Sequence, residues 1–169
     1  MAFRAATRVI DMNPAHGLPA EHDRFAVIVS RFNDDVTSGL LAGALAVFSA
    51  SGVPAEQVSV HHVPGAFELP VAARWLAQSG RYDAVICLGC LIKGETLHFE
   101  YIAAAASQGI MDVSISTGVP VAFGLLTVTT DQQAETRAAS GPTNKGGEAA
   151  SAALEMAALA RRIRPRADA

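Results

Sequence analysis

The sequence has little charge and lacks a long apolar run. Charged residues make up 17% of its 169 residues and apolar residues 50%, whereas soluble domains average about 25% charged. No apolar run reaches the ~18 to 20 residues of a membrane span, and no cationic segment followed by an apolar one opens the chain. We therefore expect no membrane association and a cytoplasmic location. The low charge favours a subunit that buries surface against copies of itself.

The sequence also lacks an excess of basic residues. Its formal net charge is −3, so no positive field favours a nucleic acid as partner. Four arginines cluster near the end of the chain, and we interpret them as a solvated tail. They are Arg161, Arg162, Arg164 and Arg166.

Cysteine is scarce, with Cys87 and Cys90 as the two in the chain. Their C-x-x-C spacing is typical of redox motifs and of half a zinc site. The pair lies within an apolar strand pattern, and a second cysteine pair is missing, so we interpret both as buried thiols in a reducing compartment. His61 and His62, adjacent in a predicted strand, point to opposite faces and cannot converge on one metal. We expect no metal site.

Short apolar runs alternate with helical patterns along the chain. Residues 1–23 lack sustained periodicity and predict an irregular arm, residues 24–164 a single domain, and residues 165–169 a C-terminal tail. Strands are predicted at 25–30, 58–63, 84–91 and 119–128, and helices at 36–50, from about 70 to 79, after His98, through about 139, and at 145–162. This alternation predicts an α/β fold, a flavodoxin-like three-layer sandwich with a four-stranded parallel sheet and helices on both faces.

Polar and aromatic residues follow three of the predicted strands. Since the carboxyl ends of parallel strands meet at one edge of a sheet, we expect these segments to form one crevice. They are Phe32 and Asn33, Gly65 to Glu68, and Leu91 to His98. Each residue also has a structural interpretation: Phe32 suits the core, Glu68 suits the first turn of a helix, and Arg137 suits the last turn. Lys145 and Glu148 are spaced as a surface ion pair. Considered singly, none specifies a function.

Together, five segments resemble the signature segments of the lumazine synthase family in order and spacing. The resemblance covers about residues 24 to 160. The segments are Arg31-Phe32-Asn33, Val63-Pro64-Gly65-Ala66-Phe67-Glu68-Leu69-Pro70, Lys93-Gly94-Glu95-Thr96-Leu97-His98-Phe99-Glu100-Tyr101, Gly118-Val119-Pro120-Val121-Ala122-Phe123-Gly124 and Asn144-Lys145-Gly146.

The resemblance implies an enzyme of riboflavin biosynthesis. This family condenses 5-amino-6-(D-ribitylamino)pyrimidine-2,4-dione with 3,4-dihydroxy-2-butanone 4-phosphate to give 6,7-dimethyl-8-ribityllumazine, phosphate and water. It needs no cofactor and no metal. The protein's tasks would be positioning, proton transfer and phosphate binding.

The resemblance also implies a role for each site residue. His98 would be the catalytic proton donor and acceptor, because an imidazole exchanges protons near neutral pH. The pyrimidine and ribityl group would be bound by Phe32, Ala66, Phe67, Glu68, Cys90, Leu91, Ile92, Phe123 and Lys145. The phosphate would be bound by Gly94, Glu95, Thr96 and Arg137.

In this family Phe123, Arg137 and Lys145 lie across a subunit boundary from the other site residues. The resemblance therefore implies self-association into pentamers, and many members form shells of about 60 subunits. The segment between Arg137 and Asn144 lacks the insertion of pentamer-only relatives, which favours a shell, although its Gly141-Pro142-Thr143 departs from the usual lysine-containing turn. Lys93 replaces a frequent arginine, and Leu97 replaces a frequent threonine.

Two other classes of function use some of the same residues. A flavodoxin-like module could bind a flavin or a related compound without catalysis, using the same stacking ring and phosphate loop. A structural shell protein would keep the assembly surfaces alone. The joint presence of His98, Arg137 and Lys145 argues against the structural protein.

Overall fold

A computed structural model describes residues 19–164, which form four strands and five helices joined by short loops. The strands are β1 (Phe25–Ser30), β2 (Val58–Val63), β3 (Ala84–Ile92) and β4 (Val121–Val128). The helices are α1 (Asp34–Ala50), α2 (Leu69–Gln78), α3 (His98–Thr117), α4 (Asp131–Ala138) and α5 (Lys145–Ile163), with short 3₁₀ helices at Ala55–Gln57 and Ala66–Glu68. Residues 1–18 of the predicted arm and all of the predicted tail, 165–169, lie outside the described residues.

The strands form one parallel sheet in the order β2-β1-β3-β4. The central pair is held in a register that places Val29 opposite Leu88, and every residue of β1 is buried. Strands that are buried on both faces consist of near-continuous apolar residues, which is the composition of β1 and most of β3. The predicted flavodoxin-like α/β sandwich is confirmed.

Two apolar cores lie on opposite faces of the sheet because successive side chains of a strand point to opposite sides. Phe25, Val27 and Val29 of β1 pack against α1 and α5. Ala26 and Ile28 pack on the other face against α2 and α3. The helices therefore cover both faces, as the alternation of strands and helices predicts.

Strand β4 begins at Val121, two residues later than the predicted 119. Gly118 ends α3 in the left-handed conformation, with φ of 70°. Ser114 Oγ then donates to the carbonyl of Val119 and accepts from the amide of Val121, at 3.3 Å in both cases. Because Ser114 occupies these backbone groups, Val119 stays outside the strand ladder.

The described residues offer neither a membrane span nor a metal cluster. Across residues 19–164 no helix combines the length and the apolar character needed to cross a bilayer. Within the same range no three histidine, cysteine or acidic side chains group as metal ligands. His61 instead has its Nε2 3.0 Å from Ser59 Oγ, and Ser59 donates to the Tyr82 hydroxyl.

A buried amide, that of Asn144, joins α5 to α1 and α4. The side chain is 2% exposed and caps α5. Its Oδ1 accepts hydrogen bonds from two amides at the start of α5, and its Nδ2 donates to three carbonyls at 2.8 to 3.1 Å. The two amides belong to Gly146 and Gly147, and the carbonyls to Gly39, Ala138 and Ala139.

Two glycines allow α1 and α5 to approach this closely. A Cβ atom on Gly43 would overlap the amide of Asn144, and one on Gly146 would overlap the backbone of Leu40. Neither neighbour is the free end of a flexible side chain, so a larger residue at either position would push the helices apart. The start of α5, and with it Lys145, is therefore fixed against α1.

We expect Asn144→Ala to lower the free energy of unfolding by about 2 to 4 kcal/mol, because it removes a helix cap and leaves buried carbonyls without a donor. Thr130→Ala is the matched control, since Thr130 caps α4 through one exposed bond, from Gln133 N. This control should cost about 0.5 to 2 kcal/mol. Urea unfolding followed by circular dichroism measures both. Equal losses would contradict the role given to Asn144.

Candidate active site

A cavity of about 390 Å³ opens beyond the carboxyl ends of β1, β2 and β3 and is closed on one side by the start of α3. This is the edge at which ligands bind in open parallel sheets. The lining combines apolar side chains, three aromatic rings, a carboxylate, a hydroxyl and an imidazole. The lining residues are Phe32, Gly65, Ala66, Phe67, Glu68, Leu91, Ile92, Gly94, Thr96, His98, Phe99 and Ile102.

The ring of Phe32 is held out from the end of β1 rather than packed in the core. It is 66% exposed, although it borders the cavity. Asn33 follows with φ of 59°, a left-handed conformation that asparagine tolerates better than most residues. Its Nδ2 donates to the carbonyl of Cys90 over 3.0 Å. This bond joins the ends of β1 and β3 and fixes the backbone that carries Phe32.

The segment after β2 folds into a 3₁₀ turn that brings a carboxylate to the cavity. Glu68 N donates to the carbonyl of Gly65 at 3.4 Å. A Cβ atom on Gly65 would lie 3.1 Å from Glu68 Oε2, so glycine gives the carboxylate room to fold over the turn. Ala66 is buried beneath, whereas the ring of Phe67 is 59% exposed.

The segment after β3 supplies the remaining polar groups. Leu91 and Ile92 end the strand, and Gly94, Thr96 and His98 follow along the cavity. His98 is the first residue of α3, and its backbone N–H donates to Thr96 Oγ1 at 3.5 Å. A hydroxyl, a glycine backbone and the start of a long helix thus lie together, a combination suited to an anion.

Five residues predicted for the site do not line this cavity, and two of them, Glu95 and Cys90, belong to the segment around the end of β3. Glu95 lies in the same segment but is exposed beside it. Cys90 is 1% exposed and packs in the core between the sheet and α1. Along β3, Leu91 faces the side of α3, whereas Cys90 faces the opposite side, one residue before the end region of the strand at which Ile92 reaches the cavity. The backbone carbonyl of Cys90 still contributes by accepting from Asn33.

Three other predicted residues form a separate cavity at the outer strand of the sheet. Phe123, Arg137 and Lys145 line a space of about 260 Å³ beside β4 that shares no lining residue with the first cavity. Arg137 Nη1 donates to the carbonyl of Gln133 at 3.1 Å. Lys145 Nζ lies 2.7 Å from Glu148 Oε1, the ion pair that the spacing predicted. One chain therefore presents the predicted residues as two separate groups.

Gly65 lines the cavity within a segment that was expected there, and two residues of α3, Phe99 and Ile102, line it without having been predicted. They lie three positions apart in the first turns of α3, so both face the same side of that helix. In the sequence, the signal for these two residues was a pair of apolar side chains three positions apart after a predicted strand. Together they add a ring and a branched side chain to the walls of the cavity.

Chemically, the first cavity suits a flat, partly polar molecule that carries an anion. Exposed rings at strand ends can stack on a heterocycle. A carboxylate can accept hydrogen bonds from hydroxyl groups. An imidazole can transfer a proton in either direction near neutral pH. The second cavity adds an arginine and a lysine, the side chains that best bind phosphate.

Comparison with known proteins gives a consistent result. Residues 22–161 match the family of 6,7-dimethyl-8-ribityllumazine synthase. The 6,7-dimethyl-8-ribityllumazine synthase of Salinibacter ruber is 51% identical over 142 residues, which cover 84% of this chain and 91% of that protein. The 6,7-dimethyl-8-ribityllumazine synthase 1 of Caulobacter vibrioides is 50% identical, over 85% and 94%. The protein of the same name from Syntrophus aciditrophicus is 51% identical, over 86% and 95%.

Both cysteines are free and buried, so we expect them to be inert in the folded protein. Burial raises the pKa of Cys87 to about 12. Burial and then the charge of Asp131 raise the pKa of Cys90 to about 11. Below those values both remain protonated and react poorly with electrophiles. A thiol-specific chromogenic reagent at pH 8 should label neither in the native protein and both in guanidinium. Rapid native labelling of either would contradict the expectation.

Proposed function

This chain belongs to the 6,7-dimethyl-8-ribityllumazine synthase family, and from that premise we propose how its two cavities perform the reaction. It is a cofactor-independent transferase of riboflavin biosynthesis. The enzyme condenses 5-amino-6-(D-ribitylamino)pyrimidine-2,4-dione with 3,4-dihydroxy-2-butanone 4-phosphate. The products are 6,7-dimethyl-8-ribityllumazine, phosphate and water. The observation that supports this assignment best is the convergence of Phe32, Glu68 and His98 on one cavity.

We assign binding of the pyrimidine to the walls of the first cavity. Phe32 stacks on the heterocycle, because its ring is held beyond the strand and is not consumed by the core. Leu91 and Ile92 contact the ring from the sheet side. Glu68 accepts hydroxyl protons of the ribityl group, and the exposed ring of Phe67 covers its chain. Holding this substrate in one orientation lowers the entropic part of the barrier.

The second substrate binds through its phosphate. Gly94 and Thr96 offer backbone and hydroxyl donors at the start of α3. Glu95, exposed in the same segment, is assigned to this phosphate loop through its backbone, because its carboxylate would repel the anion. Arg137 supplies the planar cation that suits a phosphate in two-point contact. With the donors arranged in this way, the phosphate lies at one end of the pocket.

His98 is the proposed catalytic residue because it lies beside the phosphate loop in the same cavity. The substrate amine attacks the ketone, and loss of water gives an imine. Phosphate then leaves by elimination, the enol that remains becomes a ketone, and the second nitrogen attacks this carbonyl and closes the ring with loss of a second water. Each of these steps moves a proton to or from nitrogen, oxygen or carbon, and one imidazole can serve several of them in turn. No metal is required by this sequence of steps.

We propose that the complete site forms between two subunits. In a single chain Phe32, Phe67 and Phe123 are 66%, 59% and 48% exposed, which leaves the rings of both cavities open to solvent. Pairing the first cavity of one subunit with the Arg137 cavity of its neighbour would cover these rings and join both groups of site residues. Cyclic repetition of this contact gives pentamers in the cytoplasm, and assembly into shells of about 60 subunits is the further step we propose.

The activity is tested by a phosphate-release and fluorescence assay with both substrates. The wild type should form lumazine above the rate of spontaneous condensation. Arg137→Ala should raise the KM for the butanone phosphate about tenfold or more, since a charge-assisted contact to the phosphate is lost. Lumazine formation at the background rate by an assembled wild type would contradict catalysis and favour a protein that only binds these compounds.

The shared site is tested by mixing two variants. His98→Ala should slow turnover by roughly ten- to a thousandfold. Arg137→Ala should have low activity when the concentration of butanone phosphate is low. Subunits of the two kinds, co-expressed in equal amounts, should recover about a quarter of wild-type activity, because each intact site takes one half from each variant. Separately purified variants mixed without exchange of subunits are the control. No recovery in the mixed assembly would place the whole site within one chain.

A further inference from the structure

The segment that joins β3 to α3 carries cavity groups but has little internal bonding. At one end Lys93 N donates to the carbonyl of Val128 at 2.9 Å, which extends the β3–β4 ladder by one residue. At the other end Tyr101 N donates to the carbonyl of Leu97 at 3.2 Å. Between them His98 N reaches Thr96 Oγ1 at 3.5 Å, the long end of the hydrogen-bond range. Residues 93–98 are all exposed.

Helix α3 also begins without a side-chain cap. Leu97 stands at the N-cap position, and its apolar side chain cannot accept a hydrogen bond from the first helical amides, so the long bond from His98 N to Thr96 Oγ1 is the side-chain contact to them. Serine, threonine, aspartate and asparagine are the usual residues at this position because their side chains can accept such a bond. The first turn, which contains His98, therefore depends on another contact for its order.

An ion pair bridges this segment from end to end. Lys93 Nζ lies 2.8 Å from Glu100 Oε1. Lys93 follows β3 directly, and Glu100 is in the first turn of α3. The hydrogen bond from Lys93 lowers the pKa of the Glu100 carboxyl. The pair encloses six residues, Gly94 to Phe99, and four of them line the cavity. The four are Gly94, Thr96, His98 and Phe99.

We propose that Lys93 and Glu100 are positioning residues that hold the phosphate loop and His98 in their working arrangement. Closing a short segment at its two ends removes conformations in which the hydroxyl of Thr96 and the imidazole of His98 lie apart, and such preorganisation is what a catalytic site requires. Neither residue of the pair lines the cavity. Lys93 thus acts through the segment rather than as a phosphate ligand. This inference rests on the proposed function.

The ion pair between Lys93 and Glu100 is a modest contact. A lysine ammonium makes a point contact through a flexible stem, whereas an arginine could pair with the carboxylate in a planar, two-point contact. Both residues of the pair are partly exposed, at 49% and 41% of their side-chain surface. The contact is therefore modest and sensitive to salt, and its effect should be a severalfold change in rate rather than a loss of activity.

The pair is tested by a double-mutant cycle on the full, assembled chain. Lys93→Met and Glu100→Gln should each lower kcat about twofold to fivefold with little change in the KM for either substrate. The double variant should be no slower than the slower single variant, because the same contact is lost in all of them. Lys93→Arg should keep the wild-type kcat. Asp112→Asn is the matched control, an acidic residue of α3 whose partner, Gln108, lies on the same helix.

Hydrogen exchange of the backbone amides gives a readout that does not depend on turnover. Exchange within residues 94–99 should be faster in both single variants than in the wild type and unchanged in Lys93→Arg and Asp112→Asn. The difference should shrink in about 1 M salt, where charges are screened within about 3 Å. If the wild type proves inactive, the proposed function fails and this exchange pattern still tests the pair.

Three results would overturn the inference. Lys93→Met could raise the KM for the butanone phosphate while Glu100→Gln changes nothing, which would make Lys93 a direct phosphate ligand. Alternatively, the two single losses could multiply in the double variant, which would mean that the residues act independently. Unchanged exchange in residues 94–99 in both single variants would equally exclude a positioning role.

Discussion

The parallel pairing of β1 with β3 is the constraint on which the rest of the structure depends. These are the central strands of the sheet, and β1 is buried throughout. Because both strands run in the same direction, the segments that follow them emerge at the same edge. The bond from Asn33 to the carbonyl of Cys90 fastens those two exits together. The first cavity forms because the polar segments that follow these two buried, adjacent strands lie side by side.

A second constraint fixes the other group of site residues. Asn144 is a polar side chain in an apolar setting, and it is tolerated because both its oxygen and its nitrogen are hydrogen-bonded. Its hydrogen bonds join the start of α5 to α1 and to the end of α4. Lys145 is the first residue of α5, and Arg137 lies in the last turn of α4. The cations are thus presented by rigid helices, whereas the cavity of His98 is partly bounded by an exposed segment. The Lys93–Glu100 ion pair spans that exposed segment.

Much of the fold and part of the site followed from residue patterns. The strand and helix positions were predictable because buried parallel strands are short apolar runs bounded by turns, and the observed bounds of β1 and β2 match the prediction. The start of β4 was not predictable, because Ser114, seven residues upstream of Val121, engages the backbone there. Both cysteines are buried, as predicted, but that Cys90 faces the α1 side rather than the first cavity depended on the phase of alternation at the end of β3, which a continuous apolar run does not reveal.

By itself the sequence determined the α/β class and the family, and it predicted which residues would carry the chemistry, since those depend on local composition and on motif spacing. Tertiary structure decided which of them meet. It brings Phe32, Glu68 and His98 together from segments far apart in the chain, and it sets Arg137 and Lys145 in another cavity. The physical reason is that pattern specifies which face of an element is apolar, whereas the distances between elements depend on long-range contacts such as those of Asn144 and Asn33.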